Sequence, residues 1–480
     1  MTLQPSTTLA PADWPALVAL LASTEQPDWP ALEHGDRQMS IRQLADAMCR
    51  AAGALHGGEG VVAVSEPDPI AHTVAVLGAV AAGRVAMLVD PKCPDRLLAE
   101  LVERAGATVA IGRAAPGVRQ LGLADLLAAA PSAPVAKNPK DVGSIFLTSG
   151  STGVPKLVQR SRGADLHAAM CLRLASFPIE PGDRHWLCVP YAGAPFLTLV
   201  MGALFARATV VFAPFVREHV DAFLAERRIS SVYLVPTMLR LAREHSGLDG
   251  RGWRGLRALM TGGEKLDEAT ADVLLDLFEN RVYCAYGMTE LPRPTEATFE
   301  EIRARPGTVG RTIPFRRVRI AEPGGETGVP PGEEGEVLVT GPDLFTGYFG
   351  EEPIGQWYRT GDLGLLDEDG YLYITGRASS VVKVGGNRVS TEEVAAALRR
   401  HEAVAQAAVI AVEDPMWTNR LEGFVVLREG AAAQADDLRA WLGERMPAYK
   451  LPRAMTFLDE IPMDASGKLS LQTLKSLVSG

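Results

Sequence analysis

LTSGSTGVPK, residues 147–156, follows the apolar run VGSIF and packs four hydroxyl side chains, two glycines and a closing lysine into ten positions. Gly150 and Gly153 open backbone angles closed to other residues. Successive N–H groups there can converge on an anion, while Thr148, Ser149, Ser151 and Thr152 add hydroxyl donors and Lys156 adds a cation. The stretch predicts a phosphate loop, and its wealth of donors suits a nucleoside triphosphate. A Walker loop requires GxxxxGK[ST]; here Gly153 is followed by Val154, Pro155 and Lys156, so the loop is of another kind. A Ser/Thr/Gly linker between two strands has a similar composition, and the lysine and the motifs downstream decide between the two.

The surroundings of the loop are those of a large α/β protein. From about Ser40 to Phe215, helical runs such as SIRQLADAMCRAAGAL alternate with short β-branched segments such as VVAVS and ATVVF, the rhythm of crossovers between parallel strands. It continues through SSVYLVP and LRALMTGG. Beyond Thr308 the texture changes to short strands and Gly/Pro turns, as in GEVLVTGPDLFTGYFG, which predicts an antiparallel sheet. The stretch from Pro195 to Phe215 is the most membrane-like, but Arg207 interrupts it, and a buried helix followed by a strand is the better reading.

With 480 residues the chain exceeds one ordinary core. A net charge of −10 argues against a broad electrostatic grip on nucleic acid or an anionic membrane, so any phosphate site is local. The five cysteines have neither metal-ligand nor disulfide-framework spacing, and the start MTLQPSTTLAPADW has no basic, apolar leader; a reducing cytoplasm is the expected home. A boundary is expected at 376–379, dividing the chain into 1–377 and 378–480. Past it, VVKV and a Gly385–Gly386 turn lead to a helix that Ser390 and Glu393 are placed to start as a capping box.

Five motifs follow one another: the phosphate loop, YGMTE at 286–290, WYRTGDLG at 357–364, GRASSVVKVGGNRV at 376–389 and SGK at 466–468. In this order and spacing they resemble the adenylate-forming superfamily of acyl-CoA synthetases, nonribosomal peptide adenylation domains and luciferases, and the match covers nearly the whole chain. The resemblance implies a large N-terminal domain of mixed and parallel sheets with packed helices and a distorted β-barrel, and a small, mobile α+β C-terminal domain. It also implies a reaction in which a carboxylate attacks the α-phosphorus of ATP, giving an acyl-adenylate and pyrophosphate, before a thiol takes the acyl group. The thiol is CoA or the phosphopantetheine of an acyl-carrier protein; an amine acceptor, or an inactive nucleotide-binding relative, are the remaining readings.

The same resemblance assigns roles. Thr289 contacts the α-phosphate, and Glu290 offers the hard oxygen that Mg²⁺ prefers. Tyr286, Gly263 and Glu264 meet adenine, Asp362 accepts the ribose hydroxyls, and Arg377 contacts ribose or phosphate. Lys468 bridges the carboxylate and the α-phosphate as negative charge gathers there, while Lys156 screens the outer phosphates. The small domain then swings about Ser379, withdrawing Lys468 and presenting Gly386 and Arg388 to the thiol.

Departures from the pattern bear on the acid. Amino-acid-activating relatives place an aspartate where Ala194 stands, and many acyl-CoA synthetases carry histidine near Gly193. An α-amino acid would leave its ammonium unpaired. Tyr191, Gly193, Ala194, Tyr233, Cys284, Ala285 and Gly287 predict a largely apolar pocket for an aryl, alicyclic or acyl carboxylate. Ser379 replaces the charged residue common at the hinge, and Leu471 stands where an arginine is usual after the catalytic lysine.

Overall fold

The computed structural model describes residues 26–148, 155–174, 177–264, 266, 268–278, 281–322, 324–378, 381–384, 387–414, 418–463 and 469–478. They fall into two compact units, one of Met1–Val318, Val339–Tyr358 and Asp369–Leu372, the other of Arg319–Leu338, Arg359–Glu368 and Tyr373–Gly480.

The first unit is built on two sheets. In the nine-stranded sheet the spatial order is Arg311–Thr312, Thr295–Thr298, Val282–Tyr286, Ala258–Gly262, Ser231–Tyr233, Arg184–Leu187, Thr209–Phe212, Pro30–His34 and Arg37–Ser40. Neighbours from Val282–Tyr286 through Pro30–His34 are parallel, and antiparallel strands flank them at both ends. The seven-stranded sheet runs Gly347–Tyr348, Lys156–Ser161, Val142–Thr148, Val85–Leu88, Val61–Ser65, Ala107–Gly112 and Arg119–Leu121. Its first three strands are antiparallel to one another and the rest parallel.

Burial on both faces explains why these strands read as continuous apolar runs. All of Val61–Ser65 is buried: Val62 and Val64 join one apolar cluster, Val61 and Ala63 another. The first of these clusters also holds Leu32, Val210 and Met260 from the nine-stranded sheet and residues of the helices Ile41–Ala54, Pro69–Ala81, Arg162–Leu174 and Ala194–Ala206, so these helices fill the layer between the sheets. Local sequence sets their ends. Ser40 and Gln43 form a reciprocal capping box. Asp68 accepts the Ala71 N–H, and Pro69 occupies the first turn. Arg207, at φ 58°, ends the helix Ala194–Ala206 in a left-handed cap, and Thr209–Phe212 follows as a strand. Among the described residues no helix is long and apolar enough to cross a membrane.

The second unit holds most of a four-stranded sheet in the order Arg317–Ala321, Gly335–Thr340, Tyr358–Leu366 and Leu372–Arg377. It continues with the antiparallel pair Val381–Val384 and Asn387–Ser390 and a sheet of Val404–Asp414, Thr418–Leu427 and Ala454–Phe457. Alternation places Ala407, Val409 and Val425 against the helices Thr391–Arg399 and Ala435–Gly443, and Ala408, Ile410 and Phe424 against Leu474 of Leu471–Val478. The capping box expected at Ser390 is half formed. The Ser390 hydroxyl accepts the Glu393 N–H at 3.3 Å, but the Glu393 carboxylate accepts from the Lys450 ammonium at 2.6 and 2.7 Å instead of turning back. A charged donor wins the carboxylate over a backbone N–H.

Candidate active site

The stretch expected to bind phosphate begins and ends on two paired strands. Thr148 and Lys156 face each other in the antiparallel register of Val142–Thr148 and Lys156–Ser161, the two strands next to the edge strand Gly347–Tyr348 of the seven-stranded sheet. Ser149, Gly150, Ser151, Thr152 and Gly153 lie outside the described residues. Lys156 is exposed, and its ammonium sits over the ring of Tyr348, 4.3 Å from the centroid.

YGMTE leaves the end of the strand Val282–Tyr286. Gly287 is required by space, since a Cβ there would stand 2.4 Å from the Arg293 backbone nitrogen. Three anchors hold Thr289 and Glu290. The guanidinium of the fully buried Arg160 donates to the Thr289 carbonyl at 3.3 Å and to the Asp343 carbonyl at 3.1 Å. The Phe345 N–H donates to the Glu290 carbonyl at 2.8 Å. The Tyr348 hydroxyl donates to Glu290 Oε1 at 2.7 Å. Burial pushes the Tyr348 phenol up, and the Glu290 carboxylate adds to the shift, so the hydroxyl keeps its proton.

The expected acid-pocket residues divide between two faces of the nine-stranded sheet. Cross-strand neighbours share a face: Tyr233 is in register with Met260 and Met260 with Tyr283, while Gly262 is in register with Ala285 and Ala285 with Glu296. Tyr233, Tyr283 and Ala285 all pack against the inner helical layer. Tyr233 donates its hydroxyl to the Gly262 carbonyl at 3.1 Å. Tyr191 lies in the same layer, against His72 and Phe196, with ring centroids 5.3 Å apart in each pair. Gly193 precedes the helix that begins at the buried Ala194. Cys284 faces the other way: it is in register with Thr261 and Ala297 and packs into the outer cluster with Leu259 and Val282. Burial and the nearby Glu296 push its thiol up to about 12. The structure therefore gathers Tyr191, Gly193, Ala194, Tyr233 and Ala285 on the inner side and leaves Cys284 on the outer.

At Gly263 the backbone takes φ +84°, and the Glu264 carboxylate accepts both the Thr237 N–H at 3.1 Å and its hydroxyl at 2.7 Å, at the start of the helix Pro236–Ser246.

In the second unit Asp362 is nearly buried in the strand Tyr358–Leu366, and Arg377 Nε lies 2.9 Å from its Oδ1. Gly361, at φ +73°, makes the bend before it, and Thr360 ties that bend to the Val337 carbonyl at 2.9 Å. Arg388 lies in the strand Asn387–Ser390, where the backbone alone is described. Lys468, Ser379 and Gly386 lie outside the described residues.

Among the described residues no group of three or more His, Cys, Asp or Glu side chains is placed to hold a metal. Sequence reasoning did not find Arg160, Tyr348 or Tyr358. Tyr358 stands inside the motif WYRTGDLG, which gave it no role of its own, and no local pattern marks Arg160 in KLVQRS or Tyr348.

Solved structures share this fold. MatB from Rhodopseudomonas palustris with bound ATP superposes with a TM-score of 0.88 at 24% identity, covering 97% of this chain and 99% of that one. o-Succinylbenzoate CoA synthetase from Bacillus subtilis, in complex with an acyl-adenylate intermediate, gives 0.84 at 25% identity, with 96% and 97% covered. The fold is thus that of the adenylate-forming superfamily. The family model for AMP-binding enzymes matches residues 21–349, and that for the AMP-binding enzyme C-terminal domain matches 393–468. The chain belongs to the AMP-binding enzyme family. A feruloyl-CoA synthase from Amycolatopsis sp is 32% identical over 338 residues, 68% of either chain. A 2-succinylbenzoate–CoA ligase from Bacillus velezensis is 30% identical over 353 residues, 71% of this chain and 70% of its own.

Proposed function

We propose that this protein activates a carboxylic acid with ATP and passes the acyl group to CoA. It is an acid–thiol ligase. A carboxylate oxygen attacks the α-phosphorus and pyrophosphate leaves; the thiol sulfur then attacks the acyl carbon and AMP leaves. One observation carries the reading beyond family membership: the Lys156 ammonium and the Glu290 carboxylate, remote in sequence, meet on opposite parts of one side chain, Tyr348. A cation for phosphate and a hard oxygen for Mg²⁺ held this close suit a metal–polyphosphate complex.

The individual roles extend that reading. Thr148 with 149–153 and Lys156 holds the outer phosphates, Thr289 the α-phosphate, and Glu290 the Mg²⁺, which neutralises charge on the phosphate oxygens. Tyr286, Gly263 and Glu264 take the adenine, and Asp362 with Arg377 the ribose. Lys468 is the catalytic lysine of adenylation, carried on a mobile module at 378–480 that turns about Ser379; Gly386 and Arg388 serve the thiol. The inner-face residues Tyr191, Gly193, Ala194, Tyr233 and Ala285, with Gly287, receive the acid. Ala194, 1% exposed, offers an α-ammonium no partner, and an unpaired cation in such a site costs several kcal/mol. The acid is therefore aryl, alicyclic or acyl rather than an α-amino acid. The free thiols of Cys49, Cys93, Cys171, Cys188 and Cys284 support a cytoplasmic setting.

Pyrophosphate exchange over a panel of aryl, alicyclic and short to long acyl acids, with α-amino acids as the contrast, tests the first half-reaction. Exchange with members of the first set alone is expected; exchange with amino acids, or with nothing, overturns the assignment. Adding CoA or a pantetheinylated acyl-carrier protein to the best acid then identifies the thiol, and preferential loading of the carrier would replace CoA with phosphopantetheine as acceptor.

A further inference from the structure

Tyr348 has no part among the roles assigned to the nucleotide and acid sites, yet it touches two of their key groups. It sits in the two-residue strand Gly347–Tyr348, in antiparallel register with Val158 of the strand that begins at Lys156. The segment is pinned on both sides: the Thr346 and Phe349 N–H groups donate to the Gln159 and Leu157 carbonyls, each at 2.9 Å, and the Phe345 N–H donates to the Glu290 carbonyl at 2.8 Å. Its ring packs edge-on to Phe345, with centroids 5.0 Å apart. Its hydroxyl has one hydrogen, and that hydrogen goes to Glu290 Oε1 at 2.7 Å. The Tyr358 hydroxyl, 2.9 Å away, must therefore be the donor in the bond between the two phenols. Tyr358 also packs on Phe345, at 4.9 Å, so both tyrosines lean on the same aromatic support. The direction of the relay runs from Tyr358 to Tyr348 to the carboxylate.

We infer that Tyr348 is a positioning residue for the metal–nucleotide complex: its hydroxyl fixes the Glu290 carboxylate through Oε1, leaving Oε2 for the cation, and its ring face fixes the Lys156 ammonium. One rigid side chain thereby sets the spacing between the group that meets the metal and the group that meets the phosphates. Tyr358, by donating to Tyr348, supports the carboxylate at one remove. The inference rests on the nucleotide reading of Lys156 and Glu290 and adds to it a residue that touches neither nucleotide nor acid.

The hydroxyl and the ring are separable by substitution. In the full-length chain, Tyr348→Phe keeps the ring beneath Lys156 and removes the donor to Glu290, whereas Tyr348→Leu removes both. Mn²⁺ binding in the presence of ATP, followed by electron paramagnetic resonance, and ATP binding without metal, followed by calorimetry, read the two functions without any acid or turnover. Tyr348→Phe is expected to weaken metal binding about tenfold, the size usual for loss of a group that orients a metal ligand, while metal-free ATP binds as in the parent. Tyr348→Leu is expected to weaken both. In pyrophosphate exchange the phenylalanine variant should need about tenfold more Mg²⁺ and keep the parent's KM for the acid. A folded Tyr348→Phe variant that titrates metal like the parent overturns the inference. Should that variant fail to fold, Tyr358→Phe carries the test, with a smaller shift in the same direction expected in the same titration and no shift overturning it. If the parent exchanges pyrophosphate with no acid yet binds Mn²⁺ and ATP, the ligase reading fails while these binding measurements still decide the role of Tyr348.

Discussion

Arg160 Nε donates to Asp165 Oδ1 at 2.8 Å, in an ion pair whose partners are 0% and 3% exposed. The Ser144 hydroxyl takes the other carboxylate oxygen at 2.6 Å, and the Arg160 fork goes on to the Thr289 and Asp343 carbonyls. A buried pair of this kind is a poor source of net stability but a costly one to break, because the survivor is left charged in a medium that solvates it badly. Arg160→Met is expected to destabilise the protein by about 3–5 kcal/mol in urea unfolding. The double variant Arg160→Met/Asp165→Asn should recover part of that loss, and additive effects would show that the pair is uncoupled. Pyrophosphate exchange by the single variant should fall as well, since Thr289 loses a donor that fixes its backbone.

A pH dependence arises from two histidines that no site uses. His72 and His185 are both fully buried, and burial pushes each down to about 4; a bond from His72 to the Glu66 carbonyl and the Asp183 charge near His185 offset this only in part. The unfolded chain titrates near 6.5. At higher pH neither state binds the proton, and stability is unaffected. Between 6.5 and about 4 the unfolded state binds protons that the folded state refuses, so stability falls with falling pH by about 1.4 kcal/mol per unit for each histidine, to a total of about 3 kcal/mol each. Unfolding midpoints measured from pH 7.5 to 4.5 should show this slope, and His72→Gln should reduce it by one proton's share.

How much of the fold and site was legible in the sequence depends on the range of the interaction. LTSGSTGVPK, YGMTE and RTGD are contiguous runs that are read without knowing the fold, and the interruption at Arg207 marked the end of the buried helix before the strand ATVVF. Contacts across the fold were not legible. Lys450 takes the Glu393 carboxylate from 57 positions away, and Tyr348 reaches Glu290 across 58. Cys284 was grouped with Ala285 as its neighbour, but adjacent residues of a strand face opposite sides, and only the register shows which side is the inner one.

The ribose role proposed for Asp362 makes a prediction about nucleotide affinity. Arg377 is 65% exposed at its side chain, so the pair contributes little to stability, below about 1 kcal/mol. Asp362→Ala should weaken ATP binding about tenfold to a hundredfold, the worth of charge-assisted bonds to the ribose hydroxyls. Calorimetry with ATP measures this, and an unchanged affinity removes Asp362 from the ribose.

Separation of the two half-reactions is the test for Lys468. Lys468→Ala should lower adenylate formation by about 10² to 10³, while a chemically prepared acyl-adenylate supplied with CoA is consumed at the parent's rate. Equal loss of both steps would contradict the assigned role, because thiol transfer does not need an ammonium at the α-phosphate.

Gly287 and Gly193 offer a matched pair of substitutions with opposite expected outcomes. At Gly287 an added Cβ meets backbone atoms, the Arg293 nitrogen at 2.4 Å and its Cα at 3.0 Å, and neither can swing aside as a side chain does. At Gly193 the nearest atoms are Pro195 Cδ at 3.4 Å and the Pro190 carbonyl oxygen at 3.5 Å, which is ordinary contact. Gly287→Ala must therefore part the segment carrying Thr289 and Glu290 from Arg293, at a cost of about 1–3 kcal/mol in stability. Displacement of reacting groups by even an ångström costs about a hundredfold in rate, so pyrophosphate exchange should collapse even where the variant remains folded. Gly193→Ala should keep the parent's stability and exchange rate for small acids and lose activity only toward acids large enough to need the space of a methyl group. Steady-state exchange with a graded series of acids on both variants measures the contrast. A Gly287→Ala enzyme with the parent's kinetics would mean that the close approach to Arg293 does not fix the catalytic segment.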